Sequence, residues 1–236
     1  MPQTVVPTPS GTVRAHLAVP VAVVDAEGQR PGVVVIHEAF GLTDEIRGHA
    51  DRFAAQGYVA VAPDLFSYGP KLRCIRATFR SLVRREGSAF DVLDAVAGWL
   101  AAREDCTGRV GVIGFCMGGG FALLAAPRTT FAAASVNYGL VPRDAGELLR
   151  GACPIVGSFG AGDRFMRGAA GRLEAALTEA GVEHDVKEYP AAGHSFLNQH
   201  TGALVVLEKV FGSGYRPGPA QDAQRRIDAF FAQHLR

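Results

Sequence analysis

The 236-residue sequence has no dense run of lysine and arginine, and its 24 basic residues stand against 23 acidic ones, for a net charge of +1. That balance excludes electrostatic capture of nucleic acid or of an anionic membrane surface as an organising activity, and leaves a small molecule as the expected partner. No apolar stretch approaches the ~20 residues that a membrane span needs. Residues 1–20 hold no basic segment followed by an apolar one, so a soluble, cytoplasmic protein is expected. There are only four cysteines, Cys74, Cys106, Cys116 and Cys153. They show no C-x-x-C spacing and have too few histidines nearby for a zinc site, which leaves reduced thiols and neither metal nor cofactor. Internal repeats and linkers are also lacking. Residues 1–236 therefore read as a single domain, a monomer or homodimer, of an ordinary size for one α/β unit.

What is present is an alternation of short apolar runs with helical patterns. Residues 3–7 and 12–19 flank the turn cluster Pro7-Thr8-Pro9-Ser10-Gly11 and predict an antiparallel hairpin at a sheet edge. Val33–Ile36, Tyr58–Ala62, Val110–Phe115, Phe131–Val136, Cys153–Phe159 and His184–Tyr189 read as strands, the continuous apolar ones as strands buried on both faces. A turn is expected at Asp25–Gly28. Helices are predicted from Thr43 or Asp44 to Gln56, from Ser88 with Asp91 at its third position, over 168–180 and over about 219–235. The fold class is α/β, with a mostly parallel central sheet, helices on both faces and an N-terminal antiparallel hairpin. Residues 65–87 are polar and basic. Arg73, Arg76, Arg80 and Arg84 fall on one helix face there, which reads first as a solvated surface helix, the alternative being an anion clamp beside a site.

The chain is organised around Gly114-Phe115-Cys116-Met117-Gly118. A short apolar strand runs into it and small residues at helical spacing follow, the strand, sharp turn and helix of a nucleophile elbow with cysteine in place of serine. The glycines allow a backbone bent tightly enough to strain the residue at its apex. The Cys116 thiol then faces a helix N-terminus, which favours thiolate. A buried apolar cysteine in a glycine-rich turn is the bland alternative.

A nucleophile needs a base, and the base needs a group to fix its tautomer. Cys116, Asp163 and His194 each follow a predicted strand, and they stand in the nucleophile, acid, histidine order of α/β-hydrolases. Of the other histidines, His184 lies within a strand and His49 on a helix, while His200 and His234 lack a strand-end context. His37, beside the site, reads as a loop histidine packed near the sheet. Glu183 and Asp185 are rival acids, set too far back on their strand. Oxyanion donors are expected from the backbone N–H groups of Met117 and Ala39. Glu38 points into the same region, either turned away by hydrogen bonds or part of the thiol's activation.

Five blocks in order, His37-Glu38-Ala39-Phe40-Gly41-Leu42, Pro63-Asp64-Leu65, the elbow with Gly119, Gly160-Ala161-Gly162-Asp163 and Tyr189-Pro190-Ala191-Ala192-Gly193-His194-Ser195-Phe196, closely resemble the dienelactone hydrolase family over about residues 10–235. The resemblance implies an α/β-hydrolase fold without cofactor, Cys116 as nucleophile, His194 as base and Asp163 as its orienting acid. It also implies that Glu38 deprotonates the thiol when substrate displaces it from its resting partner. Family members that open dienelactones hold the substrate carboxylate with arginines, one of them four residues after the catalytic histidine; here Asn198 stands there. The second arginine belongs to the segment 65–87, where Arg73, Arg76 or Arg80 would supply it. Phe40 and Asn198 complete the expected substrate contacts. Residues 199–212 are apolar enough to form a flap over the site. Loss of one clamp arm points to a different or less polar ester.

The function expected is thus a cysteine-dependent hydrolase of small esters or lactones, working through an acyl-thioester. A catalytically retired ligand-binding protein on the same fold is the alternative; the intact Cys116, Asp163 and His194 argue against it.

Overall fold

A computed structural model describes residues 3–20, 28–200 and 214–236. Within them the strands are β1 (Gln3–Thr8), β2 (Gly11–Ala18), β3 (Arg30–Ile36), β4 (Val59–Pro63), β5 (Cys106–Phe115), β6 (Ala133–Asn137), β7 (Ile155–Gly160) and β8 (His184–Tyr189). The helices are α1 (Asp44–Ala55), α2 (Lys71–Arg84), α3 (Ser88–Ala101), α4 (Met117–Ala125), α5 (Ala145–Leu148), α6 (Ala169–Ala180) and α7 (Pro217–Leu235).

The eight strands form one sheet in the order β1-β2-β4-β3-β5-β6-β7-β8. The hairpin β1–β2 is antiparallel and joins the sheet through an antiparallel β2–β4 pairing, while every pairing from β4 to β8 is parallel. Parallel neighbours need crossovers, and the helices that make them cover both faces. The period-two alternation of β3 divides the core: Val34 and Ile36 pack with Phe90, Leu93 and Val96 of α3, whereas Val33 and Val35 pack with Ile46 and Phe53 of α1 and Ile227 and Phe231 of α7.

α1 starts where the side chain of Thr43 accepts from the Ile46 N–H, an N-cap that satisfies one free donor of the first turn. The start of α3 differs from expectation. Gly87, at φ 111°, takes the cap position and Ser88 is already helical; a glycine tolerates that backbone angle and a serine does not. The short α5 has no periodic apolar signature in four residues, so nothing in the sequence marked it. The basic segment does become a helix, α2, and buries only Cys74, Thr78 and Ser81. The expected turn at Asp25–Gly28 lies outside the described residues apart from Gly28, as does the expected flap apart from Gln199 and His200. No helix among the described residues is long and apolar enough to cross a membrane.

Candidate active site

β5 lies between β3 and β6, with Ile36 paired to Gly114 and Phe115 to Asn137. The chain leaves it at Cys116, whose N–H donates to the Asn137 carbonyl at 3.1 Å and whose backbone is held at φ 54°, ψ −112°. A non-glycine residue in that region stores strain, of order 1–3 kcal/mol. The flanking glycines make the turn feasible. A Cβ on Gly114 would stand 1.9 Å from the Gly118 carbonyl oxygen, and one on Gly118 would stand 2.3 Å from that of Ile36. The elbow is therefore bent against itself and against β3, and Met117 opens α4 directly behind the thiol. The N–H groups of a helix's first turn have no partner within the helix, which leaves that of Met117 free for an oxyanion. Ala39 sits in a turn closed by the Gly41 N–H on the Glu38 carbonyl at 3.1 Å.

The loops after β7 and β8 bring in the other two groups. Asp163 is fixed by two backbone donors on Oδ1, Phe165 at 2.9 Å and Met166 at 3.2 Å. Its Oδ2 accepts from His194 Nδ1 at 2.6 Å. That bond leaves the other imidazole nitrogen for Cys116, which is near enough to act on the charge of the imidazole. Burial opposes the charged imidazolium, but the bonds and negative charge of Asp163 and Cys116 outweigh it and raise the His194 pKa to about 10. The rings of Tyr138 and Phe165 meet the imidazole edge-on at 5.2 and 6.1 Å. Cys116 is half-buried, while burial pushes the thiol pKa of Cys153 up to about 12 and raises those of Cys74 and Cys106. Only Cys116 of the four cysteines combines access with a base.

Glu38 is 1% exposed and both of its carboxylate oxygens are engaged. Ser195 Oγ donates to Oε1 at 3.0 Å, and His200 Nε2 bonds Oε2 at 2.6 Å. Burial alone would raise its pKa; the bonds and charge of His200, with Ser195, reverse the sign and lower it. Behind them, Asn198 is fully buried and its Oδ1 accepts from His49 Nε2 at 2.8 Å. His49 stacks on Phe115 at 4.3 Å. Burial, helped by the charge of Arg52, lowers its pKa to about 4, so it is neutral at pH 7. His37 is fully buried, bonded through Nδ1 to the Glu38 carbonyl at 2.6 Å and accepting from the Leu65 N–H on Nε2 at 3.0 Å. Both of its nitrogens are occupied, which fits a packing histidine.

The structure thus brings Cys116, Asp163 and His194 to neighbouring strand ends, with Asp163 and His194 hydrogen-bonded, and places Glu38, Ala39 and Met117 around the same edge. Phe40 is exposed beside them, its ring edge-on to His200 at 5.6 Å. Asn198 is turned into the interior. Arg73 and Arg76 line, with Arg80, Arg84 and Ser88, a groove of about 870 Å³ whose lining does not include Cys116, Asp163 or His194. Sequence reasoning passed over His200 and Ser195. A signal was available for the first: with Asn198 in place of a cation, a buried Glu38 demands another charged partner nearby. Among the described residues no group of three or more histidines, cysteines and acids is placed to hold a metal ion.

The family model for the dienelactone hydrolase family matches residues 13–235. Proteins provisionally named carboxymethylenebutenolidase are similar along nearly the whole of this chain. The one from Methylorubrum extorquens is 28% identical, covering 97% of this chain and 79% of its own. The one from Synechocystis is 29% identical, covering 98% and 96%. Among solved structures, a provisionally assigned dienelactone hydrolase from Klebsiella pneumoniae superimposes with a TM-score of 0.77 at 26% identity, covering 98% of both chains.

Proposed function

The chain belongs to the dienelactone hydrolase family and is a hydrolase acting on ester or lactone bonds, and from that premise we propose that it cleaves a small ester or lactone through a thioester on Cys116. The observation that carries this reading is the chain Cys116–His194–Asp163, in which a strained, half-buried thiol meets an imidazole whose far nitrogen is fixed by a carboxylate.

The Cys116 proton passes to His194, and the thiolate attacks the carbonyl carbon. A C–S bond forms while the carbonyl π pair moves onto oxygen, which the N–H groups of Met117 and Ala39 hold. The oxyanion collapses, the C–O bond breaks, and the alkoxide takes the proton from His194; in a lactone it stays tethered to the acyl group. His194 then removes a proton from water, which attacks the thioester and releases the acid and the thiol. Asp163 keeps Nδ1 protonated and stabilises the imidazolium. The family resemblance gives the thiol proton to Glu38. With both Glu38 oxygens engaged and Cys116 turned to His194, the reading supported here gives it to His194, and Glu38 anchors the loop that carries the imidazole.

The test is hydrolysis of p-nitrophenyl acetate by the wild type and by Cys116→Ala, with intact-protein mass recorded during turnover. Release by the wild type and an acetyl adduct, both lost in the variant, are expected. Equal release by the two proteins sinks the proposal.

A further inference from the structure

Nine large apolar side chains are exposed among the described residues, and three of them stand around the reacting thiol. Phe40, 47% exposed, follows Ala39 in the loop after β3. Leu140, 50% exposed, lies in the loop after β6, and its Cβ is 3.8 Å from the place a Cβ on Gly120 would take, so it covers the first turn of the helix behind Cys116. Phe165, 64% exposed, lies in the loop after β7 and meets the His194 ring. In the sheet order β3-β5-β6-β7 these loops flank the nucleophile on both sides. A single exposed apolar side chain is ordinary, but several gathered around one point mark a ligand-binding surface. The charged groups at the same strand ends, Glu38, Asp163, His194 and His200, are committed to one another.

We propose that Phe40, Leu140 and Phe165 are the walls against which the acyl portion of the substrate packs, so that the preferred esters carry an apolar acyl group of several carbons rather than one ending in a carboxylate. This rests on the ester-hydrolase reading above and deepens it to a substrate class. Arg164 and Arg167, exposed on the Phe165 loop, are the cations that a carboxylate-bearing substrate would use instead.

The experiment compares p-nitrophenyl acetate, butyrate and hexanoate with mono-p-nitrophenyl glutarate, which matches hexanoate in length but ends in a carboxylate. Full burial of a methylene is worth about fourfold, and half-open walls about twofold, so hexanoate is expected to exceed acetate in kcat/KM by roughly tenfold or more. Leu140→Ala combined with Phe165→Ala is expected to cut that ratio to about threefold, while Phe79→Ala, on the exposed side of α2, keeps it. Binding of the hexanoate and glutarate esters to Cys116→Ala gives the same comparison without turnover, with a tenfold tighter Kd for hexanoate expected. A flat chain-length series, or a preference for glutarate, overturns the walls even where turnover depends on Cys116. Apolar preference in Cys116→Ala binding without Cys116-dependent turnover keeps the walls and overturns the reaction.

Discussion

Ser195 Oγ donates to the Glu38 carboxylate at 3.0 Å, tying the residue after His194 to the loop that leaves β3, 157 positions away in sequence. Ser195 itself is held at φ 57°, a conformation that persists only where neighbours enforce it. His200 Nε2 bonds the opposite carboxylate oxygen, and both side chains of that pair are 2% exposed. On the mechanism proposed above, Glu38 acts on His194 through the backbone of the loop that carries it.

Two variants separate that role from simple stability. Ser195→Ala is expected to lower kcat by about tenfold with KM nearly unchanged, because a mispositioned imidazole weakens the transition state more than the ground state. His200→Gln removes the close partner of a buried carboxylate whose pKa is held low and is expected to destabilise the fold by about 3–5 kcal/mol. Adding Glu38→Gln to it should recover a good part of that loss, since the uncompensated charge is then gone. Urea titration of the wild type, His200→Gln, Glu38→Gln and the double variant reads this; strictly additive losses would show that the two residues do not act as a pair.

Asp163→Asn addresses the imidazole directly. The carboxylate is the first of the groups that raise the His194 pKa, and its Oδ2 bond fixes which nitrogen carries the proton. The variant is expected to lose about 10³–10⁴ in kcat. The alkaline limb of its pH–rate profile should move to lower pH than that of the wild type, because a group that raises the imidazole pKa is gone. A profile that falls in height without moving would deny Asp163 its electrostatic part.

The sheet, its hairpin and the elbow were legible because their signals are local: apolar runs of strand length, glycines at fixed offsets, turn clusters. Asp163 and His194 were legible for a topological reason, since parallel strands bring their carboxyl ends to one edge and any residue just past such an end is a candidate. Ser195 and His200 were opaque for the converse reason. Their roles arise from a buried carboxylate more than 150 residues away, and nothing in their own neighbourhood records it. Asn198 was legible as a departure from the family pattern, but its burial against His49 on α1 depends on helix placement that no short pattern encodes.

The elbow's geometry predicts a contrast between two glycine substitutions. Gly118→Ala would set a Cβ 2.3 Å from one backbone oxygen of β3 and 2.8 Å from the next, and neither can withdraw. A loss of about 3 kcal/mol or more and of most activity is expected. Gly48→Ala, on the exposed side of α1 with nothing within 4 Å of the new methyl, is expected to stabilise by roughly 0.5–1 kcal/mol through helix propensity alone. Thermal melts of the two variants decide it, and a stable, active Gly118→Ala protein would mean that the elbow is looser than described.

His49 sets an acid limit on stability. Its pKa falls from an ordinary 6.5 to about 4 in the folded chain, through burial first and the nearby Arg52 charge second. Between those values the unfolded chain binds a proton that the folded one refuses, so stability declines as pH falls from 6.5 to about 4 and levels off below. The shift corresponds to about 3 kcal/mol at full development. Glu38 acts later in the same direction: its lowered pKa means that its contribution is present above 4.5 and is lost as pH drops through the folded-state value. His49→Gln keeps a donor for Asn198 without a titrating group. Its unfolding free energy, followed by urea titration from pH 7 to 4, is expected to fall less steeply than the wild type's over the 6.5-to-4 window and to parallel it below. Identical slopes for the two proteins would show that His49 takes up its proton in the folded state and that Asn198 does not hold it neutral.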